Sequence, residues 1–196
     1  MLKSKTAMTL QGVHLPTKDK VAIKVFVVSR KKKVKREVAI LKHLSSGPNI
    51  EGVREILRNP LSNQLCLVSD FYLYDNFNDY FQKFTLKSLQ VYMRELLRSL
   101  DFIHSKGVIH RDIKPHNILY SFRSGKMKLV EFGLAEFYHP DRQLSPRVAS
   151  KYFKAPELIL DYPFYNYSID IWAAGIIFAS IVSSSDLQTL PPLHRL

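Results

Sequence analysis

Val108-Ile-His110-Arg111-Asp112-Ile113-Lys114-Pro115-His116-Asn117-Ile-Leu-Tyr120 is the stretch on which the reading of this chain turns. Its ends are apolar and its middle is dense in polar side chains, which predicts a short strand, a loop and a second short strand. Immediately upstream, Leu89, Met93, Leu96, Leu100 and Ile103 recur at helical spacing from Ser88 onward. Gly107 stands where a C-terminal cap belongs, so an amphipathic helix leads into the loop. Downstream, Lys126 to Val130 reads as another short strand. Ser168-Ile-Asp170 opens a helix that is apolar nearly all round and is expected to be buried. Toward the N-terminus, Val21-Ala-Ile-Lys-Val-Phe-Val-Val28 is rich in β-branched residues and reads as a strand, as does Leu65 to Val68. Between them, Glu37 to Leu44 holds good helix formers and is stopped by Ser45-Ser-Gly-Pro48. Strands come first and helices after, which gives an α+β fold. The expected division is a small β-rich lobe over about 1–70 and a larger helical lobe over about 73–196.

The chain has 196 residues, 46% of them apolar by type, enough for one good-sized core or two small lobes. Lys and Arg number 29 against 17 Asp and Glu, a formal charge of +12. That field favours acidic peptides, nucleotides, nucleic acid or an anionic surface, and charge alone does not choose among them. Cys66 is the only cysteine, so no internal disulfide forms, which suits a reducing compartment. The start lacks the apolar stretch of a signal peptide. The longest apolar stretch, Ile169 to Val182, is broken by Asp170 and Ser180 and is shorter than the roughly 20 residues of a membrane span. The expectation is an intracellular protein of the cytoplasm or nucleus, with no membrane partner and no specific nucleic-acid partner, since no binding motif accompanies the charge.

His110-Arg-Asp112, with Asn117 five residues beyond the Asp, is similar to the catalytic loop of protein kinases. Phosphoryl transfer needs charge neutralisation and in-line positioning more than covalent help. Asp112 is suited to take the hydroxyl proton, Lys114 to steady the transferred group, and Asn117 to bind Mg²⁺ beside phosphates. Other parts follow in the order of that family. Val21-Ala-Ile-Lys24 resembles the strand that presents the phosphate-binding lysine, and Glu37 is its ion-pair partner. Glu131-Phe-Gly133 stands where the metal-binding Asp-Phe-Gly belongs, Ala155-Pro-Glu157 closes the activation segment, and Asp170-x-Trp172-x-x-Gly175 lies on the apolar helix. The implied fold is the two-lobed protein kinase fold, incomplete at its ends.

Within that family the chain resembles the catalytic (alpha) subunit of casein kinase II from about Val21 to about Ala179. The likeness rests on Lys31-Lys-Lys-Val-Lys-Arg-Glu37, Gly47-Pro-Asn-Ile50, the catalytic loop, Gly133-Leu-Ala-Glu-Phe-Tyr-His-Pro140 and Arg147-Val-Ala-Ser-Lys-Tyr-Phe-Lys154. The resemblance implies a Ser/Thr kinase for acidic protein substrates, using ATP or GTP with Mg²⁺, and a regulatory beta subunit as partner. Arg147, Lys151 and Lys154 would flank the acceptor site, and Lys31, Lys32, Lys33, Lys35 and Arg36 would line one rim. For that basic run, a nuclear import signal and a solvated helix start stay open. By resemblance, the backbone of Asp70 and Tyr72 would hold the base, with Ser69 enlarging the back of the pocket. His110 and His116 read as hydrogen-bonded framework rather than metal ligands.

Three departures stand out. Leu2 to Thr9, where the glycine-rich phosphate-covering loop belongs, contains no glycine. The metal-binding Asp is replaced by Glu131, whose carboxylate reaches about 1.5 Å further. The chain ends at Leu196, whereas the resemblance implies further helices and an Arg partner for Glu157; without them, the large lobe is expected to expose an apolar face. Two function classes therefore stand side by side: a working or weakened kinase, and a pseudokinase or fragment that keeps the fold as a binding module.

Overall fold

The computed structural model describes residues 2–3, 7–26, 31–45, 47–75 and 83–184. Its N-terminal part is a five-stranded antiparallel sheet: β1 (Leu2–Lys3), β2 (Ala7–Val13), β3 (Lys20–Phe26), β4 (Glu55–Arg58) and β5 (Leu65–Asp70), in the order β1-β2-β3-β5-β4. β3 is central, with Lys24 opposite Thr9 on one side and Leu67 on the other. Residues two apart share a face, so Ala22, Lys24 and Phe26 point together, and Lys24 and Phe26 are buried. Over that face lies α1 (Lys31–His43), which buries Val34, Glu37, Ile40 and Leu41 as one stripe. The helix starts at Lys31, not at Glu37 as its helix formers suggested. The basic run is therefore its first turns, with Lys31, Lys32, Lys33 and Lys35 exposed.

The helical part is built on α2 (Leu86–Ser105). Its start is a capping box: Thr85 Oγ1 accepts from the Ser88 N–H at 3.2 Å, and Ser88 Oγ accepts from the Thr85 N–H at 2.9 Å. Its end is released by Gly107 at φ 73°, a left-handed position that glycine takes without a Cβ penalty. Leu89, Tyr92, Leu96, Leu100 and Ile103 are buried and belong to one core with Ala173, Ala174, Ile177 and Ile181 of α4 (Ser168–Ser184). Gly47 is fitted to its place by packing. A Cβ there would lie 2.1 Å from Cε1 of Phe102, so only glycine lets the turn after α1 close on α2.

Two small strand pairs hold the polar loops. β6 (Val108–Ile109) pairs with β9 (Glu136–Phe137), and β7 (Ile118–Tyr120) pairs with β8 (Met127–Leu129). The polar stretch 110–117 spans β6 to β7, and 130–135 spans β8 to β9, so the four strands grip both loops. A short helix α3 (Pro156–Ile159) precedes α4.

One expectation is corrected. α4 is not buried all round: Ile171 is 47% exposed, and Trp172 and Phe178 are each 46% exposed. The buried stripe is Ile169, Asp170, Ala173, Ala174, Ile177 and Ile181, with Val182 partly buried against the core. An apolar sequence describes what a helix can bury, and no described element covers the other face. Among the described residues no helix is long and apolar enough to cross a membrane.

Candidate active site

The first part of the site lies between the sheet and α1. Lys24 Nζ donates to Glu37 Oε1 at 2.6 Å and to Glu131 Oε2 at 3.0 Å. Lys24 and Glu37 are both buried. Burial pushes the ammonium down, but Glu37 and Glu131 outweigh it and hold the Lys24 pKa above its usual value. Lys24 is a fixed cation reaching the cleft from β3. Its two carboxylate partners come from α1 and from the turn after β8.

The second part is the loop between β6 and β7. The Asp112 carboxylate accepts from Lys114 Nζ at 2.7 Å and Asn117 Nδ2 at 3.0 Å through Oδ2, and from Ser150 Oγ at 2.8 Å through Oδ1. Lys114 Nζ also donates to Ser150 Oγ at 3.0 Å. Asn117 Nδ2 donates again to the Asp112 carbonyl at 2.7 Å, which leaves Oδ1 as the acceptor of this side chain. The loop backbone is held from behind by buried Asp170 of α4. Its Oδ2 accepts the His110 N–H at 2.8 Å, and its Oδ1 accepts the Arg111 N–H at 2.9 Å. His104 also meets Asp170 Oδ2, at 2.9 Å. Arg111 sits at φ 66°, a strained conformation of the kind that surrounding structure sustains at functional sites. His110 is buried, bonded to the Val130 carbonyl at 3.1 Å and edge-on to Phe132; burial lowers its pKa, with Asp170 opposing.

The third part is the turn at Glu131, itself left-handed at φ 66°. Glu131 Oε2 is committed to Lys24, and its side chain is 35% exposed. Glu131 and Asn117 supply hard oxygen donors, a carboxylate and a carboxamide, which fit Mg²⁺. Among the described residues no group of three or more His, Cys, Asp or Glu could hold a metal alone. A Mg²⁺ site completed by phosphates needs only one or two protein donors, so the donor set fits the ion.

The remaining expected residues are placed as follows. Asp70 ends β5, and its carboxylate is engaged by the Arg54 guanidinium and by Tyr72 Oη at 3.4 Å. The Tyr72 ring lies under Lys128 Nζ at 5.1 Å. The open depression beside them is lined by Asp19, Lys20, Arg54, Asp70, Phe71, Tyr72 and Leu73, and contains neither Lys24 nor Asp112. Ser69 is buried behind the strand exit. Of the stretch Leu2 to Thr9, where the phosphate-covering loop was expected, residues 2–3 and 7–9 lie in β1 and β2, and residues 4–6 lie outside the described residues.

Of the basic side chains, Lys31, Lys32, Lys33, Lys35, Arg147 and Lys151 are exposed. Arg36 and Lys154 differ from the expected free cations. Arg36 is half-buried and paired with Glu136, which Arg111 also approaches at 3.6 Å. Lys154 Nζ caps the Val148 carbonyl. Both have near carboxylate or carbonyl partners that a one-dimensional charge count cannot register.

Three contributors escaped the sequence reading. Ser150 lay inside a quoted motif without a role, Glu136 likewise, and Glu51 looked like any loop acid. Glu51 Oε1 accepts from Ser69 Oγ at 3.3 Å, and Oε2 accepts from the Glu131 N–H at 3.4 Å. Burial pushes its carboxyl up to about 7, with Lys24 opposing and Glu131 adding.

A carboxylate with a lysine from its own loop beside it, a second lysine held by an acid on a helix, and hard oxygen donors are the groups that phosphoryl transfer calls for. A family model described as the protein kinase domain matches residues 4–189 of the chain. Protein kinase domains in general act with ATP and Mg²⁺. With the match covering nearly the whole chain, this chain belongs to the protein kinase family.

Proposed function

We propose that the chain is a Ser/Thr kinase of casein kinase II alpha type, transferring the γ-phosphoryl group of ATP to hydroxyls in acidic protein segments. The observation that carries this reading is the Asp112 carboxylate, oriented by Lys114, Asn117 and Ser150. In this reading Asp112 takes the proton of the acceptor hydroxyl as the oxygen attacks, and Lys114 stabilises charge on the transferred group. Lys24 binds the nucleotide phosphates, kept in place by Glu37. Mg²⁺, when bound, neutralises phosphate charge, with Asn117 and Glu131 as its protein donors. The backbone of Asp70 and Tyr72 holds the base. GTP as an alternative donor rests on the subfamily resemblance alone.

Acidic substrates are supported by the cations Lys31, Lys32, Lys33 and Lys35. They crowd the start of α1, whose first turn holds no acid, against the helix dipole. An arrangement unfavourable to the isolated helix is relieved by an anionic partner. Arg147 and Lys151 add to the same field, and a regulatory beta subunit and a cytoplasmic or nuclear location belong to the same proposal. A second reading, a pseudokinase acting as a binding module, is favoured by one observation: Glu131 occupies the lysine that phosphates need. Radiolabelled phosphate transfer to an acidic Ser-containing peptide separates the two. Transfer that falls about 100-fold or more in Asp112→Ala supports the enzyme. No transfer above that control, with nucleotide still bound, supports the binding module.

A further inference from the structure

We propose that Glu51 is a positioning residue for Glu131, holding the left-handed turn from which the Glu131 carboxylate reaches Lys24. Glu131 adopts φ 66° and ψ 63°, a conformation that an L-residue keeps only when its surroundings enforce it. Below the turn, the Ala135 N–H donates to the Phe132 carbonyl at 3.0 Å and closes a single 3-10 turn. Above it, the Glu131 N–H points at Glu51 Oε2, 3.4 Å away.

Glu51 is well placed for this task. Its own N–H donates to the Leu129 carbonyl at 3.0 Å, and the Leu129 N–H donates to the Asn49 carbonyl at 2.7 Å. Residues 49–51 thus run alongside β8, which leads directly into the turn. The other carboxyl oxygen receives Ser69 Oγ from β5 at 3.3 Å. One side chain therefore ties the sheet to the turn carrying Glu131. Buried polar groups with two partners restrict geometry more than they add net stability. Either protonation state of Glu51 leaves an oxygen to accept the Glu131 N–H, so the role does not depend on its charge.

The catalytic consequence rests on the kinase reading given above, but the contact itself is testable in the unliganded protein. The experiment compares Glu51→Gln and Glu51→Leu with the parent chain by amide hydrogen exchange over residues 129–135. Gln keeps one acceptor oxygen for Glu131 and turns its amide toward Ser69; Leu keeps the bulk and removes the acceptor. Exchange at 129–135 should accelerate roughly tenfold in Glu51→Leu and stay within about twofold in Glu51→Gln, with α2 amides unchanged. Nucleotide titration then reads the consequence: the gain in ATP affinity from added Mg²⁺ should shrink about fivefold in the Leu variant and persist in the Gln variant. Unchanged exchange in Glu51→Leu overturns the proposal. So does acceleration spread evenly over the sheet and α2, which marks general destabilisation. If the exchange result holds while the parent chain binds no nucleotide, the positioning role stands and the kinase reading falls.

Discussion

Replacing Glu131 by Asp is the most informative single change at the cleft. The present Lys24–Glu131 separation is 3.0 Å. One methylene fewer withdraws the carboxylate by about 1.5 Å, to roughly 4.5 Å from Nζ. At an effective dielectric constant of about 20, the attraction weakens from about 5.5 to about 3.7 kcal/mol. Because Glu131 is 35% exposed, solvent screening reduces that difference of about 2 kcal/mol to about 1. Lys24 is then freer for phosphate by about fivefold in affinity, while Glu37 still holds it in place. The shorter arm also corrects the placement of the metal-side oxygen, and a misplacement near 1 Å costs on the order of 100-fold in rate. Turnover should therefore rise about tenfold or more, with the larger share in the chemical step. Single-turnover peptide phosphorylation and nucleotide titration with and without Mg²⁺ measure the two effects on one preparation. An Asp variant that binds nucleotide yet transfers phosphate no faster than the parent would refute the metal-placement argument.

Replacing Lys31, Lys32 and Lys33 together by Ala should weaken acidic-peptide binding and flatten its salt dependence, because exposed charges act through screened attraction; equal loss for neutral peptides would remove the run as a specificity element. Gly47→Ala should destabilise the fold by about 1–3 kcal/mol in denaturant titration, since its Cβ would lie 2.1 Å from Phe102. The pH profile of stability contains two opposed contributions. Buried His110, and His116 with it, have folded pKa values below their ordinary 6.5, so the unfolded chain binds these protons first and stability falls as pH drops below about 6.5. Glu51 has a folded pKa raised from 4.5 to about 7, so its contribution is present below 4.5 and is lost as pH rises through about 7. The histidine slope is therefore to be read in Glu51→Gln, where the thermal midpoint should decline on acidification from pH 7 to 5; a flat profile there contradicts the assignment.

The polar loop and its neighbours were legible because their chemistry is local. Asp112, Lys114 and Asn117 lie within six positions of each other, and their hydrogen bonds follow from that spacing. The helix periodicity of Leu89 to Ile103 is likewise a one-dimensional signal, and Gly107 follows the end of α2 where a C-terminal cap was expected, whereas the N-cap Thr85 was not read. β2 and β4 were not read. Ala7–Val13 mixes small, polar and apolar residues, and Glu55–Arg58 is an edge strand with charged ends. Pairing with a neighbour makes such segments strands, and pairing is not written in their own residues. The same reason hid Glu51, whose partners lie 18 and 80 positions away. It also hid the capture of Arg36 by Glu136, 100 positions apart. The apolar content of α4 was plain, but which half of it faces the core depends on elements distant in sequence.

Asp170 gives α4 an importance beyond packing. Two consecutive main-chain amides of the catalytic loop end on one carboxylate carried by this helix. The loop's working shape and the docking of α4 are thus one cooperative unit. A molecule in which α4 peels away keeps its sheet and its Lys24–Glu37 pair but loses the anchorage of His110 and Arg111. Catalytic competence should consequently vanish with local opening of α4, ahead of global unfolding. A ligand that clamps the exposed Ile171, Trp172 and Phe178 face would then raise the active fraction without touching the loop itself.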